Sequence, residues 1–125
     1  MKLSQKEKAI HDQFCRYGGN AKEWIRKCVL MLPQISEEEI WRKAGCGSIY
    51  EYCAKIAGMN RDKVNDGLRI MSKIADKPQL LEVVKIKGIN AVRPVATIAT
   101  KEDQSFWAEK AKTMSKNVLI TYVRD

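Results

Sequence analysis

Residues 50–69 read YEYCAKIAGMNRDKVNDGLR, and their pattern of side-chain sizes predicts two helices that pack across a tight turn. Gly58 is expected to supply the positive φ of that turn, and Ala54 to be small where the two helices cross. The expected shared core consists of the apolar residues Cys53, Ala57, Met59, Val64 and Leu68. The stretch therefore predicts a helix-turn-helix, although a plain helical hairpin that never touches DNA fits the same pattern.

On either side of this stretch, helix caps and helix breakers predict further helices. Gly18 and Gly19 are expected to end the first helix, and Pro33 to end the second. Capping boxes are predicted at Ser4 with Glu7, Ser36 with Glu39, and Thr100 with Asp103. Helices are predicted over residues 37–44, 48–57, 61–75, 78–87 and 90–99, and later helices open at Thr100 and Ser115.

Apolar side chains recur at helical spacing, and no stretch alternates convincingly in the manner of a strand. We expect the first helix to carry its apolar residues inward, namely Leu3, Ile10, Phe14 and Tyr17. The three tryptophans, Trp24, Trp41 and Trp107, are expected in the core. The chain is thus predicted to be one all-α domain over residues 1–125, a compact bundle of about eight to nine short helices containing the helix-turn-helix.

The charge of the chain favours a polyanionic partner. Its 125 residues carry 23 Lys and Arg against 15 Asp and Glu, a formal net charge of +8. Each cation that meets a phosphate releases condensed counterions, so a basic chain is suited to nucleic acid. The sequence shows no signal peptide and no apolar run long enough to cross a membrane, which indicates a cytoplasmic protein with no membrane partner.

The second helix of the predicted helix-turn-helix is expected to present Asn60, Arg61, Lys63, Asn65 and Arg69 outward as DNA-reading side chains. Arg and Asn can pair bidentately with guanine and adenine edges. Three further cations, Lys85, Lys87 and Arg93, surround Gly88 and are expected to contact backbone phosphates, although a solvated basic face explains them equally well. Asp62 and Asp66 would repel phosphate if they faced the DNA.

Residues 47–125 resemble the helical region that precedes the nuclease domain of bacterial HNH endonuclease-family proteins. The resemblance rests on spaced positions: Ile49, Tyr50, Ala57, Gly58, Val64, Pro78, Gly88, Val95, Ala96, Trp107, Ser115 and Val123. The middle of this region is also similar to the helix-turn-helix of ParB-type partition proteins. Both resemblances imply double-stranded DNA as the partner, whereas residues 1–46 have no comparable match.

The sequence does not predict an enzyme. An HNH nuclease needs paired histidines with Asn or Asp to hold a metal, and this chain has a single histidine, His11. The four cysteines fit no usual zinc spacing, so we expect free thiols and no metal, cofactor or small-molecule substrate. The alternative to DNA binding is a helical bundle for protein interaction or oligomerisation. A homodimer is left open, because no dimerisation helix stands out in the sequence.

Overall fold

A computed structural model describes residues 2–125 of the chain, and within that range it contains eight α-helices and no strand. The predicted all-α fold is therefore confirmed. In chain order the helices are α1 Gln5–Glu37, α2 Ile40–Lys43, α3 Ile49–Ala57, α4 Arg61–Ile74, α5 Pro78–Lys87, α6 Ile89–Val92, α7 Gln104–Thr113 and α8 Lys116–Arg124.

The core is built around α5, which packs against α1, α4, α6 and α7. The side chains that are almost wholly buried come from α1, α4, α5, α6, α8 and the segment after α6: Leu32, Val64, Ile70, Ile74, Leu80, Val83, Val84, Val92, Val95 and Leu119. On α4 the buried positions 64, 67, 70, 71 and 74 form one stripe at helical spacing. This stripe fixes which side of α4 is left for solvent.

The first long helix differs from its prediction, because α1 is one helix of 33 residues where two were expected. Gly18 and Gly19 do not end it, since neither takes the positive φ that a glycine C-cap needs. Pro33 also lies inside α1, between Leu32 and Ile35, which are both buried in the core. Burial of apolar residues on both sides of the proline offsets its cost of about 3 kcal/mol in a helix.

The N-terminal part of α1 projects away from the bundle. Every residue from Lys2 to Trp24 is exposed, a segment that extends for about 30 Å at 1.5 Å per helical residue. The prediction that Leu3, Ile10, Phe14 and Tyr17 turn inward is therefore wrong, as is the core position predicted for Trp24. Helical spacing identifies an apolar stripe, but it does not show whether another element covers that stripe. Trp41 and Trp107 are partly buried, and Trp107 packs against the core.

Several local signals are confirmed and three are corrected. The Ser4–Glu7 capping box is present. Thr100 and Asp103 exchange the two expected hydrogen bonds, but they do so in a turn, and α7 begins only at Gln104 and not at Thr100. The predicted box at Ser36 and Glu39 is absent, because Ser36 lies inside α1 and Glu39 takes a left-handed conformation before α2. The helix predicted over residues 90–99 is only Ile89–Val92, since Pro94 has no N–H to donate to the carbonyl four residues earlier.

Candidate nucleic-acid interface

The turn between α3 and α4 has the predicted geometry. Gly58 has a φ of 65° and its N–H donates to Ala54 O at 3.1 Å, which ends α3. Met59 is buried directly after it, and Asn60 caps α4 by accepting a hydrogen bond from Lys63 N at 2.8 Å. The side-chain oxygen of Asn60 is thereby committed to the backbone, so this predicted reader mainly sets where α4 begins.

The close approach of two helices lies elsewhere than predicted. Ala54 is exposed, so its expected place at the α3–α4 crossing is wrong. The tight contact is made by Gly67 of α4 against α1, where a Cβ on Gly67 would lie 2.8 Å from Leu32 Cδ1. The helix-turn-helix is thus supported from behind by α1, and the glycine inside the α4 pattern was the sequence signal for that contact.

Three of the predicted readers share one exposed face of α4. Arg61, Asn65 and Arg69 are spaced four residues apart and all are exposed. Residues at this spacing lie above one another on a helix, so they form one row opposite the buried stripe. The row extends for about 12 Å, which is comparable to the width of the major groove of B-DNA.

Tyr50 of α3 holds two side chains of this row, a role that was not predicted from the sequence. Its hydroxyl donates to Asn65 Oδ1 at 2.6 Å, and its ring lies 4.0 Å from the guanidinium carbon of Arg61. A cation over an aromatic face is attracted by the ring quadrupole. An aromatic at helical spacing looks like a core residue in sequence, and only the turn at Gly58 brings Tyr50 beside residues 61 and 65.

The two acids of α4 have different environments. Asp66 accepts a bidentate pair of hydrogen bonds from Arg93 and a further bond from Arg69 at 3.0 Å. The hydrogen bonds from Arg93 hold the pKa of Asp66 below its usual value, so the carboxylate is ionised and charge-compensated at neutral pH. Asp62 is exposed. The electrostatic objection to an α4 interface is thus weakened at Asp66 and persists at Asp62.

Two of the three cations predicted to contact phosphates are engaged by residues distant in the chain, and the third lies beside a neighbouring acid. Arg93 is engaged by Asp66 and Asn90, and Lys85 forms an ion pair with Glu82 at 2.9 Å. The ammonium of Lys87 donates to three carbonyl oxygens at the end of α7, those of Ala111, Lys112 and Met114. These contacts satisfy carbonyls that α7 leaves without helical partners. Lys87 and Arg93 therefore stabilise the fold around α5 and α6, whereas Lys85 stays exposed beside Glu82.

Lys63 lies away from the Arg61–Asn65–Arg69 row. It lines a cleft of about 410 Å³ between α1 and the α5–α6 turn. The other charged residues of that lining are Lys22, Arg26 and Lys87, so the cleft is basic. Of the predicted residues, the outward row on α4 therefore holds Arg61, Asn65 and Arg69, and the separate cleft holds Lys63 and Lys87. The remaining three, Asn60, Lys85 and Arg93, lie in neither place.

Comparisons with protein-family models, curated proteins and solved structures gave no match for this chain. The resemblance to HNH-family and ParB-type proteins therefore stays a prediction from spaced positions. Among the residues described, no helix combines the length and apolar character needed to span a membrane. Within the same range, no group of three or more His, Cys, Asp and Glu side chains is placed to hold a metal ion.

Proposed function

We propose that the protein binds double-stranded DNA, with the outward row of α4 inserted in the major groove. The observation that carries this proposal is the exposed alignment of Arg61, Asn65 and Arg69 beside the supporting Tyr50. Arg and Asn are the side chains that pair most specifically with guanine and adenine edges. A helix presented at the second position of a helix-turn-helix is the element that such modules place in the groove.

The support around α4 suits this role. Gly67 lets α4 pack closely on α1, and Arg93 compensates Asp66 beside the row. A rigid scaffold lowers the entropic cost of ordering reading side chains when they bind. The resemblance of residues 47–125 suggests that this is the non-catalytic helical part of an HNH-endonuclease-like protein, acting in the cytoplasm of a bacterial cell.

The alternative function, protein interaction or oligomerisation, is favoured by a different observation. The projecting part of α1 exposes large apolar side chains, among them Ile10, Phe14, Tyr17 and Trp24. Exposed apolar patches of this kind typically mark interaction sites. This surface lies on α1 and not on α4, so the two functions can belong to one protein.

The DNA proposal is tested by a matched pair of arginine variants. Arg69 and Arg42 are both exposed and each pairs with an acid three residues earlier on the chain, but only Arg69 belongs to the α4 row. Arg69→Ala should weaken duplex binding about tenfold, the size expected for loss of one base or phosphate contact. Arg42→Ala should leave the affinity nearly unchanged.

The measurement is fluorescence anisotropy of a labelled duplex, repeated at several salt concentrations. If Arg69 contacts a phosphate, the salt slope in the variant should fall by about one unit, whereas a base contact leaves the slope in place while affinity drops. Equal losses of affinity in both variants would point to nonspecific charge and would exclude α4 as the reading helix.

A further inference from the structure

The projecting part of α1 carries an uncovered apolar stripe, which we call the α1 seam: Ile10, Phe14, Tyr17, Ala21 and Trp24. Its members follow one another at intervals of four, three, four and three residues, the spacing of a coiled-coil seam. All five are exposed, and Phe14 is 77% exposed. Ile10, Phe14, Tyr17 and Trp24 match a core pattern in the sequence, but in the structure their side chains lie in solvent.

The seam continues the stripe by which α1 packs on its own bundle. Further along α1, Ile25, Cys28, Val29, Leu32 and Ile35 are partly or wholly buried at the same helical spacing. The helix therefore has one long apolar side, of which the C-terminal half is covered. Among residues 2–125, no element buries the N-terminal half, and of the seam only Ala21 faces another part of the chain, across the open cleft to the α5–α6 turn.

This segment is poorly stabilised as a lone helix. Gly18 and Gly19 each cost about 1 kcal/mol relative to alanine in a helix interior. Most of the stability of a protein helix comes from packing of its apolar face and not from helix propensity, and this segment has no such packing. The seam exposes on the order of 500 Å² of apolar surface, with three aromatic rings. Together with its flanking side chains, the seam approaches the area that a standard stable interface buries, which is about 800 Å² per partner.

We propose that two copies of this chain associate through the α1 seam, with the two projecting helices antiparallel. The occupant is a second copy because four members of the seam, Ile10, Phe14, Tyr17 and Ala21, are complementary to one another in an antiparallel pair. When Phe14 of one copy lies opposite Tyr17 of the other, Ile10 lies opposite Ala21, so a large side chain meets a small one. Two aromatic pairs then occupy the centre of the interface.

The position of the bundle selects the antiparallel orientation. In each copy the apolar side of α1 is covered by its own bundle from Ile25 onward. Parallel helices facing each other would bring both bundles to the same level on the facing sides, where they collide. Antiparallel helices place the bundles at opposite ends, and each bundle begins where the partner's helix starts. The proposed dimer also carries two α4 rows related by a twofold axis.

The test compares two isoleucines that are equally exposed. Ile10 on the seam is 60% exposed and Ile86 on α5 is 61% exposed, so neither substitution empties a core position. By sedimentation equilibrium from low micromolar to submillimolar concentration, the unmodified chain should be a dimer. Ile10→Glu should be monomeric or dissociate at least tenfold more readily, and Ile86→Glu should behave like the unmodified chain. A chain that is monomeric throughout, or an Ile10→Glu variant that dimerises normally, would overturn the proposal.

Orientation is tested by disulfide cross-linking in a chain whose exposed Cys15 is replaced by serine. In the antiparallel register Glu7 of one copy lies opposite Trp24 of the other. Glu7→Cys chains mixed with Trp24→Cys chains should therefore form a mixed disulfide dimer, and neither variant should cross-link efficiently to itself. Efficient self-cross-linking of Glu7→Cys would indicate parallel helices and contradict the proposed orientation.

Discussion

At the scale of single residues, the candidate interface depends on partners that are distant in sequence. Tyr50 holds Asn65 fifteen positions away, and Arg93 reaches Asp66 across 27 positions. The residue types of the Arg61–Asn65–Arg69 row could be predicted, because Arg and Asn at helical spacing are visible in the sequence. Their partners could not, since nothing local in a sequence shows which side chain a folded helix will face.

The ion pair between Asp66 and Arg93 gives a pH prediction. The folded-state pKa of Asp66 lies below its ordinary value of 3.8, mainly because of the hydrogen bonds from Arg93. The stabilisation is therefore complete above pH 3.8 and is lost as the pH falls through the lowered folded-state pKa. We expect about 1–2 kcal/mol for this partly buried, charge-assisted pair.

Urea unfolding of the unmodified chain and of Asp66→Asn, followed over an acidic pH series, measures this contribution. Asp66→Asn should be less stable at neutral pH, and the difference between the two proteins should shrink as the pH falls. Taking the difference removes the contributions of other acids, such as Glu7 and Glu51, which both proteins share. A difference that does not change with pH would show that the pair contributes no linked stability.

At the scale of helices, local signals predicted several helix caps correctly but did not predict how the helices pack. Ser4, Asn60 and Ser115 cap helices as expected, because an N-cap is a hydrogen bond within one turn. Gly18 was expected to end a helix, but it lies inside α1 and does not take the positive φ of a glycine C-cap. Ala54 was assigned a close contact that belongs to Gly67, because α4 packs closely on α1 and not only on α3.

Replacement by alanine should have opposite effects on stability at Gly18 and at Gly67. Nothing lies within 4 Å of a Cβ on Gly18, so Gly18→Ala should add about 0.5–1 kcal/mol of helix propensity and raise the far-ultraviolet circular dichroism signal. On Gly67 the new methyl would overlap Leu32, which is 1% exposed. Gly67→Ala should lower the free energy of unfolding by about 1 kcal/mol, overpacking minus the gain in propensity.

Chemical denaturation of both variants provides the check on that contrast. A Gly67→Ala protein more stable than the unmodified chain would mean that Leu32 and Val29 move aside freely. The packing of α4 on α1 would then be looser than the structure shows, and α1 would be a less rigid support for the Arg61–Asn65–Arg69 row.

At the scale of the whole molecule, the all-α fold and the helix-turn-helix could be predicted from the sequence, but the shape could not. Caps, breakers and apolar spacing act within a few residues and so give the helices. Whether an apolar stripe is covered depends on the length and direction of the neighbouring helices. For this reason no dimerisation helix could be predicted from the sequence, although α1 carries a candidate seam. The molecule is a compact bundle with one side of α4 on its surface, and the N-terminal part of α1 projects from it.

The proposal that α4 enters the major groove is tested by measuring how the unmodified chain binds a random-sequence duplex and a single strand of equal length. Both affinities are measured by fluorescence anisotropy over a salt titration. A reading helix in the major groove predicts tighter binding to the duplex. Its affinity should fall with salt by roughly 0.9 logarithmic units per logarithmic unit of salt for each phosphate neutralised. Absence of duplex binding at low salt, or equal binding to the single strand, would contradict the assignment of α4 to the groove.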